Sequence, residues 1–123
     1  MSEKLKILIA EDDKTAQTFY DACLSEEEFE KKIVASGKEA LKTYRAWKPE
    51  IVVLDIMLQE MTGYSVLREI RSAGDKSTTI IMATSLSRKS DVLDCANLGV
   101  QGYIVKPFDA RTLRDKILQC HQK

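Results

Sequence analysis

"IVVLDIML", residues 51–58, runs four apolar residues into a single acid, Asp55, and then returns to apolar side chains. Ile51 to Leu54 show no alternation with polar residues. A strand that is apolar on both faces belongs inside a sheet covered on each side, which is the signature of parallel sheets in α/β proteins. The acid is the second message of the stretch. An ionised carboxylate beside buried aliphatic residues costs free energy unless a cation or hydrogen-bond donors meet it.

Working outward, apolar β-rich runs recur at "LKILIA" (5–10), "KKIVAS" (31–36), "TIIMA" (79–83) and "YIVK" (103–106), which makes five strands with 51–54. Helical spacing fills the gaps between them. Ala16, Phe19, Tyr20, Cys23 and Leu24 fall on one stripe, and Leu41 with Tyr44, Val66 with Leu67 and Ile70, Val92 with Ala96, and Leu113 with Ile117 mark four more helices. Ser36 and Glu39 have capping-box spacing before the second helix, and Pro49 closes it. Thr62 and Asp109 are placed to cap the third and fifth helices, and Gly99 to end the fourth. Strict alternation of strand and helix implies right-handed crossovers and a doubly wound α/β sandwich: a five-stranded parallel sheet with five helices.

The 123 residues fit one domain, 1–123, with no repeat and no linker rich in Gly, Pro or Ser. Basic and acidic residues balance at 19 each, so nothing points to electrostatic capture of nucleic acid or a membrane surface. Cys23, Cys95 and Cys120 are odd in number and lack a CxxC pair, which reads as reduced core thiols rather than disulfides or zinc. With no apolar run of spanning length and no secretory signal at the start, a cytoplasmic location is expected.

In an open parallel sheet, ligands gather beyond the carboxyl ends of the strands. The first strand ends in Glu11, Asp12 and Asp13, the third in Asp55, the fourth in Thr84 and Ser85, and the fifth in Lys106 and Pro107. Taken singly each has a plain explanation. Asp12 and Asp13 read as helix caps, Asp55 as a paired structural charge, Thr84 as a loop hydroxyl and Lys106 as a snorkelling lysine. Taken together, three carboxylates at one edge repel one another unless a cation is present, and hard oxygen donors suit Mg²⁺ or Mn²⁺. An ionised Asp55 beside such a metal can attack an activated phosphoryl group and form an acyl phosphate, with Lys106 and the Thr84 hydroxyl stabilising the phosphoryl oxygens.

"ILIAEDDK", "IVVLDIML", "MATS" and "YIVKPF" resemble, in order, the acidic pair, phosphoacceptor strand, switch hydroxyl and lysine-proline motif of the response-regulator receiver domain of two-component signalling. The resemblance spans Leu5 to about Leu118 and implies a flavodoxin-like sheet of strand order 2-1-3-4-5. It further implies that Asp12, Asp13, Asp55 and the backbone carbonyl of Met57 bind the metal. Asp55 would then be phosphorylated by a sensor histidine kinase or phosphotransfer protein, docked against the first helix and the Pro107–Phe108 loop. Thr84 and Tyr103 take the switch positions, Lys106 is the family lysine, and the Lys106–Pro107 bond is expected to be cis. An output partner would read the face of the fourth helix, fifth strand and fifth helix, where Arg88, Lys89, Val92, Tyr103 and Arg111 are candidates.

Gln59 stands where the family commonly has proline, so the loop to Gly63 is expected to be looser or differently shaped. Met57 and Ser85 occupy positions where the family tunes dephosphorylation. The chain would be a stand-alone receiver or one cut from a longer regulator. Rivals fare worse. A haloacid dehalogenase type phosphatase needs a second Asp where Met57 stands, a dinucleotide binder needs a GxGxxG that is absent, and a hydrolase triad would have to recruit His121, the only histidine. A receiver fold that serves as a binding module without phosphorylation is the remaining alternative, against which the intact Asp12, Asp13, Asp55, Thr84 and Lys106 argue.

Overall fold

The computed structural model describes residues 3–122. The elements alternate without exception: β1 (Leu5–Ala10), α1 (Lys14–Cys23), β2 (Phe29–Val34), α2 (Gly37–Trp47), β3 (Ile51–Leu54), α3 (Gly63–Ser72), β4 (Thr79–Thr84), α4 (Lys89–Asn97), β5 (Gly102–Val105) and α5 (Ala110–His121). All neighbouring strands pair in parallel, in the order β2-β1-β3-β4-β5. The chain winds from β1 to the edge at β2, then crosses back to the other side of β1, so the strand order reverses between β1 and β3.

The unbroken apolar runs follow from two cores, one on each face of the sheet. Leu8, Ala10, Val52, Leu54, Ile80 and Met82 point toward α2, α3 and α4, where they meet Ala40, Leu41, Val66, Leu67, Ile70 and Cys95. Ile7, Ile9, Ile51, Val53, Ile81 and Ala83 point the other way, onto Tyr20, Leu24, Leu113, Ile117 and Cys120 of the α1 and α5 layer. Successive strand residues face opposite sides, so each central strand feeds both layers and has no solvent face. Burying each Ile or Leu contributes about 1.5–3 kcal/mol.

Helix starts obey local chemistry. The side chains of Asp13, Ser36, Thr62 and Asp109 accept from the backbone N–H of Ala16, Glu39, Ser65 and Thr112, capping α1, α2, α3 and α5. Helix α4 begins after Arg88 with no side-chain cap. Lys48, left-handed at φ 52°, ends α2 before Pro49, and Gly99, at φ +90°, follows the end of α4.

Two details depart from expectation. Strand β2 begins at Phe29 and ends at Val34, because Phe29 is buried in the core while Ser36 must leave the strand to cap α2. The loop carrying Gln59 is pinned rather than loose. Ser36 and Gln59 form a parallel bridge, and the Gln59 carbonyl accepts from Gly37 N at 3.1 Å. A Cβ on Gly37 would collide with the Met61 carbonyl, so only glycine lets the two segments approach.

At the far rim, Arg71 of α3 donates to the carbonyls of Gly99, Asp75 and Thr78 and to Gln101 Oε1. Gln101 Oε1 also accepts from Ile80 N. The three cysteines are unpaired. No helix among the described residues is long and apolar enough to cross a membrane.

Candidate functional site

Strand register assembles the site. Ala10 lies opposite Leu54 and Leu54 opposite Met82, so Glu11, Asp55 and the end of β4 reach the same rim where the strand order reverses. Asp55 is buried there. Its Oδ1 accepts from Met57 N at 3.1 Å and its Oδ2 from Lys106 Nζ at 2.9 Å. The same ammonium donates to Glu11 Oε1 at 2.5 Å, joining the ends of β1, β3 and β5 through one cation. The Lys106–Pro107 peptide is cis.

The electrostatics follow from burial. Desolvation pushes the Glu11 carboxyl above its ordinary pKa, the Asp55 charge adds to that, and the Lys106 ammonium and Asp13 N–H offset only part. Burial alone would lower the Lys106 pKa, yet hydrogen bonds and attraction from Glu11 and Asp55 carry it above the usual lysine range. One ammonium is thus shared by two buried acids, and Asp12, the residue after Glu11, is half-buried.

Asp13 has a different occupation. Its Oδ2 takes the Ala16 N–H at 2.8 Å as the exposed cap of α1, while its own N–H donates to Glu11 Oε2 at 3.2 Å. Its carboxylate is therefore turned to the helix terminus, and the acid that meets Asp55 through Lys106 is Glu11. The sequence contained the signal: Glu11 follows the last residue of β1 as Asp55 follows the last residue of β3. Gln17 Nε2 holds the Glu11 carbonyl at 2.6 Å, a support that no sequence pattern announces.

Among the described residues, no three carboxylate, imidazole or thiol groups converge as a ready-made metal cage. The donor set nevertheless suits a hard divalent cation. It consists of oxygen alone, with Glu11 and Asp55 crowded enough that the charge of one opposes ionisation of the other.

Thr84, fully buried, accepts from Leu86 N at 3.4 Å, and the Leu86 carbonyl accepts from the Tyr103 hydroxyl at 2.6 Å. One residue, Leu86, therefore links Thr84 through its N–H to Tyr103 through its carbonyl. Tyr103 packs against the α2–α4 core, and burial, reinforced by Cys95, Asp91 and Asp55, pushes its pKa up to about 12. Met57 is exposed at the mouth, as is Ser85. Next to Lys106 an apolar cleft of about 340 Å³ is lined by Ala16, Phe19, Tyr20, Pro107 and Phe108, whose three rings are mutually packed. Arg88, Lys89 and Arg111 are exposed and Val92 is half-buried.

A second cavity, of about 550 Å³, lies at the opposite end of the sheet near Tyr44, Asp75 and His121. His121 Nδ1 is 2.9 Å from the Thr79 hydroxyl there. It is at the wrong end of β4 to join a triad with the acids of the rim.

The family model for the response regulator receiver domain matches residues 7–118. The chain belongs to that family. This receiver is 36% identical over 122 residues to the chemotaxis protein CheY of Listeria monocytogenes, covering 97% of each chain. It is also 36% identical over 115 residues to the probable transcriptional regulator ycf27 of Porphyridium aerugineum, covering 94% of this chain and 47% of that protein. The chain thus spans about half the length of the ycf27 relatives. Among solved structures, the receiver domain of sensor histidine kinase PA1611 from Pseudomonas aeruginosa superposes with a TM-score of 0.85 at 26% identity, covering 98% of this chain and all of that one. In that protein a magnesium ion is coordinated in the active-site cleft.

Proposed function

We propose that this single receiver domain takes a phosphoryl group from a phosphohistidine of a sensor histidine kinase or phosphotransfer protein onto Asp55. The observation that carries the reading is the shared Lys106 ammonium, which keeps a buried Asp55 beside Glu11 at the open rim of the sheet. An Asp55 oxygen bonds to phosphorus as the phosphorus–nitrogen bond breaks, and the imidazole nitrogen leaves with the electron pair and takes up a proton. Asp12, Asp55 and the Met57 carbonyl would hold Mg²⁺ or Mn²⁺, with Glu11 completing the negative surroundings in the place first given to Asp13. Bound there, such an ion supplies charge neutralisation for the transferring group.

Lys106 stays within reach of the phosphoryl oxygens on Asp55. The Thr84 hydroxyl, now engaged by Leu86 N, turns to them and draws the Leu86 peptide and Tyr103 with it. Added charge of roughly −1.5 to −2 and two new hydrogen bonds are worth a few kcal/mol, enough to exchange major and minor states. The α4–β5–α5 face, with Arg88, Lys89 and Arg111, presents the result to an output protein or domain. The aromatic cleft around Phe19 and Phe108 borders Lys106 and suits the donor protein's approach. Contacts of this kind are with protein, in keeping with a net charge of zero.

The test is mass measurement after incubation with Mg²⁺ and a small acyl-phosphate donor. One base-labile phosphoryl adduct is expected on the parent, and none on Asp55→Asn or with a chelator present. An inert parent that still binds its partner would replace this reading with that of a binding module independent of phosphorylation.

A further inference from the structure

Among the described residues, helix α4 is the only one of the five helices whose start has no side-chain cap, so its first turn needs another hold. Asp91, in that first turn, supplies one. It is buried, an unusual place for a carboxylate, and its Oδ1 and backbone carbonyl lie 3.4 and 3.5 Å from the hydroxyl of Tyr64. The other face of the carboxylate meets Arg88 Nε at 3.1 Å, from a side chain that is itself exposed.

Tyr64 is the second residue of α3 and directly follows Gly63. Gly63 is pressed so closely on the peptide after Asp55 that an added Cβ would lie 2.3 Å from the Asp55 carbonyl oxygen, and its N–H donates to Ile56 O at 3.0 Å. A continuous chain of packed and bonded groups therefore runs from the Asp55 backbone through Gly63 and Tyr64 to Asp91 and α4. It shares no residue with the path through Thr84, Leu86 and Tyr103.

We propose that the Tyr64–Asp91 hydrogen bond is a latch that docks the uncapped start of α4 and reports the position of the Asp55 loop to it. The inference uses the receiver reading only for its consequence. A movement of the loop that shifts Tyr64 releases α4 independently of the Thr84 hydroxyl. The latch itself belongs to the unmodified protein and is tested there.

Hydrogen exchange of the unphosphorylated full chain reads it directly. Tyr64→Phe keeps the ring and removes the hydroxyl. Exchange of the α4 amides is expected to rise about two- to threefold, the low end of what one net hydrogen bond gives, because the contacts are long at 3.4 and 3.5 Å, while β1 and β3 stay unchanged. Asp91→Ala removes the Arg88 contact as well and should raise exchange at least as much, and the double variant should fall short of the sum of the two, since they share the hydroxyl–carboxylate bond. Unchanged α4 exchange in Tyr64→Phe, an equal rise throughout the sheet, or strictly additive effects would each overturn the latch. None of these outcomes depends on whether Asp55 accepts a phosphoryl group, which the mass measurement decides.

Discussion

Two glycines separate a steric demand from a conformational one, and substituting each by alanine gives a quantitative check on the loop that follows Asp55. At Gly63 the new methyl carbon would stand 2.3 Å from the Asp55 carbonyl oxygen, 2.9 Å from its carbon and 3.0 Å from the Ile56 Cα. That is roughly 1 Å inside ordinary contact, against main chain that no rotamer change can move. Relief requires displacing either the 56–63 loop or α3, whose Val66, Leu67 and Ile70 are fully buried, so the cost falls at the upper end of overpacking, about 3 kcal/mol. At Gly74 nothing lies within 4 Å of the added carbon, but φ is +98°. Alanine there meets only the left-handed penalty of about 1–2 kcal/mol, offset by a gain of about 0.4–1 kcal/mol from a stiffer unfolded chain. Urea unfolding at equal slope should therefore rank the parent first, Gly74→Ala close behind, and Gly63→Ala lowest by about 2 kcal/mol or more. Acyl-phosphate labelling should be slowed only in Gly63→Ala. A Gly63→Ala protein as stable as Gly74→Ala would refute the close approach of α3 to the Asp55 peptide.

The two neighbouring acids after β1 should part company. Asp13→Ala is expected to lower stability by about 1 kcal/mol through loss of the α1 cap while leaving Mg²⁺ affinity near that of the parent, and Asp12→Ala to do the reverse. Titrating each variant with Mg²⁺ alongside thermal unfolding distinguishes them, and equal loss of affinity in both would restore Asp13 to the metal site. Asp75 gives a pH signature. Burial opposes its ionisation, but hydrogen bonds from the Thr78 and Tyr44 hydroxyls and the Thr78 and Ser77 N–H groups outweigh this and hold its carboxyl well below the usual range. Because the folded pKa is lower than the unfolded one, its stabilising contribution is present above about pH 4 and fades as pH falls further. The stability gap between parent and Asp75→Asn should accordingly stay constant from pH 7 to about pH 5 and narrow as pH falls below about 4, and a gap unchanged at pH 3 would exclude the carboxylate as its source.

The architecture was legible because the physics that makes it is one-dimensional. Ile51 to Leu54 and Ile80 to Ala83 are apolar at every position since both faces of the sheet are covered, and Ser36, Thr62 and Asp109 mark helix starts by a bond to a residue three further on. Phe29 was obscured by the charged residues around it, which an edge strand tolerates. At the rim, sequence order brought Asp55 and Lys106 onto one list, and the fold joins them by a hydrogen bond. The allotment among three consecutive acids was not readable from composition. It depends on which residue is level with Asp55 in the sheet and which one turns to the α1 N-terminus, and both are matters of register. At Gln59 the sequence left open a looser or a differently shaped loop, and what holds it, Ser36 and Gly37, is distant in sequence. Tyr64 and Asp91 are 27 residues apart and carry no motif.

The fastening of Arg71 at the far rim also sets how α4 can travel. Its bond to the Gly99 carbonyl anchors the C-terminal end of that helix to α3, which makes the end a pivot. Nine residues at 1.5 Å each give a lever of about 13 Å, so a tilt of about 10° carries the Lys89 end roughly 2 Å while Asn97 hardly moves. A tilt about that pivot would therefore displace chiefly the end closest to the rim that holds Asp55.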